Sequence, residues 1–421
     1  MDKRSDGTSD MRRREFIQCA VGATALWAGP SSAVTGASWS VSAANQELFR
    51  HRIAKLESRP VEDRFPRTLG PNAKSWGGGC GAVNGVRIIT TDRGVVGWSL
   101  GARHRIDPAP WIGRRVGDLF DVSKGVAEDV PFWLDKTLHD LAGAILGIPV
   151  WKMLGAHGSR NVPLYSSSIY MQDLIPKSKP RGIPAVVAAC REDARSGYRA
   201  FKLKIGRGAK WMPRREGLAR DIAVTRAVRE ALPECRILVD ANDAYTVDEA
   251  IEYIHATADC HLYWFEEPFE ENLEDYRRLR EAMEKHGCKT LIADGESRRE
   301  HAGEHPTRFG GYTNRFVDRL LQLAEEKLVD VLVMDQDIVG YSRWRHVMPE
   351  LKRIGVQVSP HTWVWRLRTY FAAHLAAGLG NIPIVEGIPG ETTSVDFANY
   401  RFEQGKLRLP DKPGFGLALR H

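Results

Sequence analysis

The sequence predicts an α/β fold in which a parallel (β/α) barrel is joined to a smaller α+β domain. Three features of the 421-residue chain support this: β-rich runs alternate with helix-length segments in its second half, seven such runs end in polar residues, and the N-terminal third lacks the alternation. Alternating strands and helices indicate parallel strands joined by right-handed crossovers. Polar residues at successive strand ends are typical of a barrel active site, which lies at the carboxyl ends of the strands.

The composition is typical of a globular protein, with 43% hydrophobic and 27% charged residues. The formal net charge is +7, but the basic residues are spread along the chain. Because no long Lys/Arg run or nucleic-acid-binding module is present, we expect no nucleic-acid partner. The six cysteines are scattered without a CxxC motif, which argues against a zinc or redox site.

The N-terminus resembles a twin-arginine export signal. Arg12-Arg13-Arg14 precedes the short apolar stretch CAVGATALWAG, and small residues follow, including Val41-Ser42-Ala43. The apolar stretch is shorter than the roughly 20 residues that a spanning helix needs, so we expect no membrane span. We expect residues 1–44 to be signal and linker, and the protein to be exported to the periplasm. A disordered basic tail with an accidental match is the alternative.

Residues 45–161 predict the small α+β domain. The run GVRIITTDRGVVGWSL predicts a hairpin, and the run from Val130 to Gly155 predicts a helix followed by a short one. The stretch 66–84 is rich in Gly and Pro and predicts a loop. Its Gly79-x-Gly81 precedes a strand instead of following one, which excludes a dinucleotide fingerprint.

Residues 162–390 predict the barrel, with VPLYSSSI as its first strand and PAVVAACREDARSGY as its first helix. Counted from Lys204, the strand-ending polar residues follow at steps of 36, 26, 30, 39, 26 and 25 residues, about one strand plus one helix each time. They are Lys204, Asp240, Glu266, Glu296, Asp335, His361 and Glu386. Residues 391–421 have strand and turn signals only, so we expect them to return to the N-terminal domain.

Three carboxylates on consecutive strand ends, those of Asp240, Glu266 and Glu296, predict a metal site. Hard oxygen ligands of this kind suit Mg²⁺, and the lack of a His or Cys cluster argues against zinc. Any one of these residues alone is more often a helix cap or an ion-pair partner. Their convergence on one end of the barrel favours the metal.

The remaining strand-end residues predict proton transfer. Lys202 and Lys204 point to the same side of one strand, and a desolvated lysine beside a divalent cation can have its pKa lowered enough to act as a base. Asp335 and His361 end neighbouring strands and would form an acid/base dyad. Glu386 would face Lys202 across the barrel mouth and, if protonated, could donate a hydrogen bond to developing negative charge. The alternatives are solvated edge lysines and a structural histidine.

The motifs KxK, DAN, EEP, DGES, a strand-end Asp and SPH occur in this order. Together with the helix around Lys136–Gly143 they resemble the mandelate racemase subgroup of the enolase superfamily over residues 47–421. The resemblance implies a modified (β/α)7β TIM-like barrel, 162–390, with an α+β capping domain formed by residues 45–161 and the tail 391–421.

The resemblance also implies roles for single residues. It implies that Asp240, Glu266 and Glu296 hold one Mg²⁺ per subunit, whereas spacing alone leaves the choice between Glu266 and Glu267 open. It implies that Lys204 is one base and that His361, paired with Asp335, is the other. Lys202 would bind the substrate carboxylate, Glu386 would stabilise an enediolate, and Asn242 would contact the substrate.

The reaction implied by the resemblance is the removal of a proton α to a carboxylate through an enediolate, assisted by Mg²⁺. We expect an exported dehydratase that converts a sugar acid into a 2-keto-3-deoxy acid. A racemase, epimerase or cycloisomerase with the same two bases is the first alternative, and an exported non-catalytic sugar-acid binding protein is the second. We expect a small-molecule carboxylate substrate, a homo-oligomer, and substrate specificity in the 66–84 loop and the strand-end loops.

Overall fold

The structure of the protein is a computed structural model that describes residues 40–77, 79–101, 106–296, 314–363 and 365–420. Most of the expected signal therefore lies outside the described residues. A helix, α1 (Val41–Phe49), begins inside the expected linker, and the Ser40 hydroxyl caps it by accepting a hydrogen bond from the Ala43 N–H at 3.1 Å. The small residues Val41-Ser42-Ala43 are thus the first turn of a helix.

The N-terminal domain consists of an antiparallel sheet covered by helices. Its strands are β1 (Ile53–Arg64), β2 (Gly81–Thr91), β3 (Val96–Gly101), β4 (Phe120–Asp121) and β5 (Gly125–Val126), and its helices are α2 (Val116–Leu119), α3 (Phe132–Leu146) and α4 (Val150–Met153). The expected hairpin is the β2–β3 pair. Helix α3 packs closely on this sheet, since a Cβ added to Gly97 would lie 2.4 Å from the Leu141 Cα.

The structure of this domain differs from the sequence analysis at two places. Strand β1 was not predicted, because half of the residues in its sequence IAKLESRPVEDR are charged and one is a proline. The expected 66–84 loop ends earlier, since Gly81–Asn84 already pair with β1. Strand β2 therefore begins directly after the glycine-rich segment.

The barrel consists of eight parallel strands among the described residues. The strands are β6 (Asn161–Ile169), β7 (Ala200–Lys204), β8 (Arg236–Asp240), β9 (Trp264–Glu266), β10 (Leu291–Asp294), β11 (Val331–Leu332), β12 (Gln357–Val358) and β13 (Val385–Gly387). The ladder runs in chain order from β6 to β12, and β13 pairs with the other side of β6. Between the two end strands, the Ser359 hydroxyl donates a hydrogen bond to the Ile384 carbonyl at 2.9 Å.

Helices alternate with these strands, which confirms the (β/α)7β arrangement. They are α5 (Ile183–Arg195), α6 (Arg214–Ala231), α7 (Val247–Ala256), α8 (Leu273–Lys285), α9 (Asn314–Glu325), the single turn α10 (Gln336–Val339), α11 (Tyr341–Ile354) and α12 (Arg366–Leu379). Local sequence fixes several helix ends. Thr246 and Glu249 form a capping box at the start of α7, for example.

The C-terminal tail contacts both domains. Its strands are β14 (Glu391–Thr392), β15 (Val395–Asp396), β16 (Arg401–Glu403), β17 (Lys406–Arg408) and β18 (Ala418–Leu419). Strand β14 pairs with β1 of the N-terminal domain, as expected, whereas β17 pairs with β6 of the barrel. In the part of the chain that the structure describes, no helix has both the length and the apolar character needed to cross a membrane.

The barrel interior beneath the strand ends is apolar. Inward-facing residues of six strands and their flanks form a cluster that is separate from the main core. It contains Tyr165, Ala200, Leu238, Trp264, Ala293, Val331, Val333 and Ile384. The charged layer above it therefore stands on a floor of low polarity, where electrostatic interactions are stronger than in water.

Candidate active site

The strand register brings the predicted residues into one layer at the carboxyl end of the barrel. Lys204 is the register partner of Asp240, and Asp240 is the register partner of Glu266. An isolated parallel bridge likewise aligns Asp335 with His361. Parallel strands of matched length place their last residues side by side, and the strand ends predicted from spacing therefore meet.

The three predicted metal ligands converge. Asp240, Glu266 and Glu296 each offer a carboxylate oxygen, and these oxygens lie within 4.8 Å of one another. Asp240 and Glu266 are fully buried. Glu266 accepts a hydrogen bond from the Trp264 indole at 2.9 Å, and Asp240 accepts one from the Asn242 N–H at 2.9 Å. These donors hold both carboxylates in place.

The side chain of Glu267 is not one of the three converging carboxylates. It accepts a hydrogen bond from the Asn242 amide at 3.2 Å and lies 3.8 Å from the Lys74 ammonium. Adjacent residues at a strand end face opposite sides. The structure thus separates the two glutamates that spacing left ambiguous, and it groups Glu266 with the other acidic ligands.

Both lysines of the KxK motif reach the carboxylates. The Lys202 ammonium lies 2.5 Å from Glu266, 3.2 Å from Asp240 and 3.8 Å from Glu386. Lys204 forms an ion pair with Asp240. Burial lowers the pKa of Lys204, but the negative charge of Asp240 outweighs burial and raises that pKa above its ordinary value. The protein groups by themselves therefore do not lower the pKa of Lys204, which was expected to be lowered beside a divalent cation.

Asp335 and His361 form the predicted dyad. The Nδ1 atom of His361 lies 2.9 Å from Asp335, and its Nε2 atom lies 3.0 Å from Glu296. Burial lowers the pKa of His361, but Glu296, Glu386 and Asp335 together raise it well above its ordinary value. The ring is therefore held as an imidazolium, with one N–H bound by Asp335 and the other directed into the site.

Glu386 faces Lys202, as expected, but it is ionised. Burial raises the pKa of this carboxyl, whereas Lys202 and His361 lower it to about 2. Its Oε2 atom accepts hydrogen bonds from the backbone N–H groups of Thr362 and Trp363. The condition for hydrogen-bond donation, a protonated Glu386, is not favoured in this arrangement, in which the carboxylate accepts hydrogen bonds.

The charges of the cluster do not balance. Five carboxylates surround two ammonium groups and one imidazolium, so the fully ionised group carries a formal charge of about −2. Burial raises the pKa of Glu266 well above its ordinary value, against the effect of Lys202, and Asp240 and Glu296 raise it further. The cluster needs added positive charge to stay ionised. Oxygen donors of this number and charge fit a hard divalent cation such as Mg²⁺.

Several residues at the site were not identified from the sequence. Trp264 and Tyr165 line the floor, and the Lys202 ammonium lies 5.6 Å from the Tyr165 ring centre. A period of two along the strands would have found Trp264, which lies two residues before Glu266. Tyr170 lies under Lys204 at 5.8 Å, and Lys74 lies 2.8 Å from Asp243. Both of these contacts depend on loop conformation.

The expected specificity loop lies against the barrel mouth. The Lys74 carbonyl accepts a hydrogen bond from Lys210, and the Asn72 carbonyl accepts one from the Trp211 indole at 2.7 Å. The N–H of Met171 donates a hydrogen bond to the Pro71 carbonyl at 2.9 Å. The loop is thus fixed to the segments that follow the first two barrel strands.

The sequence matches the family described as enolase C-terminal domain-like over residues 185–305 and 310–421. It is 26% identical over 300 residues to D-galactarolactone cycloisomerase from Agrobacterium fabrum, and this match covers 68% of this chain and 70% of that protein.

Two similar solved structures come from Geobacillus. A galacturonate dehydratase, complexed with D-galacturonate and 5-keto-4-deoxy-D-galacturonate, is 31% identical with a TM-score of 0.77, and the match covers 88% of this chain and 95% of that chain. A mandelate racemase/muconate lactonizing protein complexed with magnesium and tartrate has the same identity and TM-score, over 88% of this chain and 93% of that chain.

Proposed function

This chain belongs to the enolase superfamily, and we propose that it is a dehydratase acting on a sugar acid, with a hexuronate as the first candidate. The supporting observation is the placement of two proton-transfer groups on separate barrel strands beside one carboxylate cluster. Lys204 ends the second strand and His361 follows the seventh. The imidazolium of His361 is the group that dehydration needs, because a departing hydroxyl must be protonated.

The metal-ligand assignment follows from the same cluster. Asp240, Glu266 and Glu296 would hold one Mg²⁺ per subunit. A bound Mg²⁺ would stabilise the negative charge that develops on the substrate carboxylate. Its positive charge would also offset the charge of Asp240, which keeps Lys204 protonated.

The protein groups then account for the proton movements. The Lys202 ammonium binds the substrate carboxylate. The Oδ1 atom of Asn242 is buried without a hydrogen-bond partner among the described residues, so it can accept a hydrogen bond from a substrate hydroxyl. Neutral Lys204 takes the proton from the carbon next to the carboxylate. The Nε2–H of His361 is transferred to the hydroxyl on the following carbon, and water leaves. The enol that remains becomes an α-keto acid without the departed hydroxyl, which is a 5-keto-4-deoxy acid from a hexuronate and a 2-keto-3-deoxy acid from an aldonic acid.

A cycloisomerase, racemase or epimerase is the second candidate. It is supported by the similarity to D-galactarolactone cycloisomerase and by the fact that both reactions need the same two proton-transfer groups. The reactions differ in the group that accepts the proton from His361. In dehydration the acceptor is the departing hydroxyl, and in racemisation or epimerisation it is the α-carbon.

Product analysis distinguishes these reactions. The purified protein with Mg²⁺ would be incubated in D₂O with aldonic, aldaric and uronic acids, D-galacturonate among them, and followed by ¹H NMR. We expect one of these acids to lose its α-proton signal and to give a dehydrated keto acid. Exchange with inversion and no loss of water would favour the racemase. Lactone opening or closure without net dehydration would favour the cycloisomerase.

We further propose that the twin-arginine motif directs export to the periplasm and that the protein is a homo-oligomer. The motif Arg12-Arg13-Arg14 followed by a short apolar stretch supports export. Replacing all three arginines by lysine should retain the protein in the cytoplasm on cell fractionation, and equal periplasmic yield would contradict the proposal. Sedimentation analysis of the purified protein tests the oligomer.

A further inference from the structure

A buried charge cluster joins the N-terminal domain to the two loops that carry the acid/base dyad. Lys136 of α3 forms an ion pair with Asp337, and the guanidinium of Arg368 in α12 lies 2.5 Å from the same carboxylate. Lys136 is 6% exposed and Arg368 is 9% exposed. Burying two cations in this way is costly unless each is paired, so the cluster has a defined geometry.

The cluster contacts both halves of the dyad through the backbone. Asp337 lies two residues after Asp335, in the single turn α10 that begins directly after it. Arg368 also donates a hydrogen bond to the carbonyl of Thr362 at 3.3 Å, and Thr362 follows His361. One guanidinium therefore holds the segment after Asp335 and the segment after His361 at a fixed separation.

Two more contacts support this coupling. The Gln336 amide donates a hydrogen bond to the Arg368 carbonyl at 2.8 Å, and the Thr362 N–H donates one to Glu386. A single helical turn such as α10 has little stability of its own. Its position is set by these side-chain contacts together with backbone hydrogen bonds, which the Gln336 N–H donates to the His361 carbonyl at 3.4 Å and the His361 N–H donates to the Met334 carbonyl at 3.1 Å. Lys136 supplies the contact from the N-terminal domain to Asp337.

We propose that Lys136 and Arg368 are positioning residues that keep Asp335 in contact with the Nδ1 atom of His361. This inference rests on the proposed role of the dyad in catalysis. Lys136 and Arg368 act through Asp337 and Thr362 and do not contact the reacting atoms. The alternative is that the cluster only attaches the N-terminal domain to the barrel.

A matched control separates the two possibilities. Arg345 of α11 is partly buried and also joins the barrel to the N-terminal domain, since it donates hydrogen bonds to the Val122 and Met153 carbonyls at 2.7 and 2.9 Å. It contacts neither dyad loop through these bonds. Arg345→Met should therefore reduce stability while leaving kcat within about twofold of the parent, because only attachment of the domains is weakened.

The test compares Lys136→Met, Lys136→Arg and Arg345→Met in the full chain. We expect Lys136→Met to lower kcat by about 10- to 100-fold with KM within about twofold, because a small misplacement of a proton-transfer group mainly affects the chemical step. Lys136→Arg should restore most of kcat. Equal losses of kcat in Lys136→Met and Arg345→Met, or unchanged kcat in Lys136→Met, would overturn the proposal.

Two further measurements cover the other cases. If Lys136→Met does not fold, Arg368→Lys keeps the charge but cannot reach Asp337 and Thr362 together, and the same loss of kcat is expected. Crystal structures of the variants measure the Asp335–His361 separation, now 2.9 Å, without any substrate. An unchanged separation would contradict the proposal even if the sugar-acid assignment held, whereas a parent enzyme without turnover would contradict only the proposed function.

Discussion

Two clusters of buried charge lie near the strand ends of the barrel, and they differ in how completely their charges are paired. In one, Arg207 is fully buried between Asp173 at 2.6 Å and Asp221 at 2.5 Å, and Arg220 lies 3.4 Å from Asp173. Asp221 also accepts a hydrogen bond from the Tyr245 hydroxyl at 2.8 Å. Two guanidinium groups thus balance two carboxylates.

The active-site cluster is built from the same kinds of residue but keeps a formal excess of negative charge. Its five carboxylates converge on Lys202, Lys204 and His361. Complete pairing leaves the Arg207 cluster nothing to bind, whereas the unbalanced cluster has a place for a cation and an anionic substrate. Between these two clusters the difference is therefore in charge pairing and not in burial.

The largest effect is expected at the proton-transfer groups of the unbalanced cluster. Lys204→Met and His361→Asn should each lower turnover by about 10²- to 10⁴-fold, because each removes a group that transfers a proton. Steady-state kinetics on the acid identified by NMR measures this loss. Lys152→Met, which removes a partly exposed lysine paired with Asp411, is the control and should leave turnover unchanged. Turnover within tenfold of the parent in both variants would contradict the proton-transfer roles assigned to Lys204 and His361.

The balanced cluster should respond in stability instead. Arg207→Met leaves Asp173 and Asp221 buried without their shared partner, and we expect the free energy of unfolding to fall by about 3–5 kcal/mol. Urea denaturation measures the loss, and circular dichroism confirms the fold at low urea. The double variant Arg207→Met, Asp221→Asn should recover part of it. A loss below about 1 kcal/mol would show that pairing at Arg207 contributes little.

A buried group without a countercharge extends the comparison. Burial lowers the pKa of His374 from 6.5 to about 3, against the smaller effect of a hydrogen bond with the Phe415 backbone, in a site where the ring accepts a hydrogen bond from the Trp151 N–H at 3.2 Å. Below pH 6.5 the unfolded chain takes up a proton that the folded chain does not. The folded state therefore loses about 1.4 kcal/mol of stability per pH unit as the pH falls from 6.5 towards 3.

His374→Asn should remove this slope while keeping an acceptor for Trp151. Between pH 6.5 and 5 the parent should lose about 2 kcal/mol relative to the variant, measured by urea denaturation at each pH. The same slope in both proteins would show that His374 is protonated in the folded state.

The spacing of strand-end residues predicted the barrel and most of the site, because each step of 25 to 39 residues has room for one strand and one helix. It could not choose between Glu266 and Glu267, since that choice depends on which face of the strand end points inward. Strand β1 was missed because half of its residues are charged and its sequence has no clear apolar alternation.

The electrostatic state of the site was less accessible to sequence reasoning. The ionised Glu386 depends on the N–H groups of Thr362 and Trp363, and the raised pKa of Lys204 depends on contact with Asp240. Such contacts join residues that are far apart in the sequence or belong to loops. Motif order identified the residues, whereas the distances between them determine the direction in which each pKa is shifted.

Calorimetric titration with Mg²⁺ tests the central claim most directly. The parent protein and Asp221→Asn, which alters the balanced cluster, should bind one Mg²⁺ per chain with similar affinity. Asp240→Asn, which removes one carboxylate from the unbalanced cluster, should weaken binding by more than about 100-fold, because a direct ligand is lost. Unchanged Mg²⁺ affinity in Asp240→Asn, or equal losses in the two variants, would contradict the assignment of the cation to the unbalanced cluster.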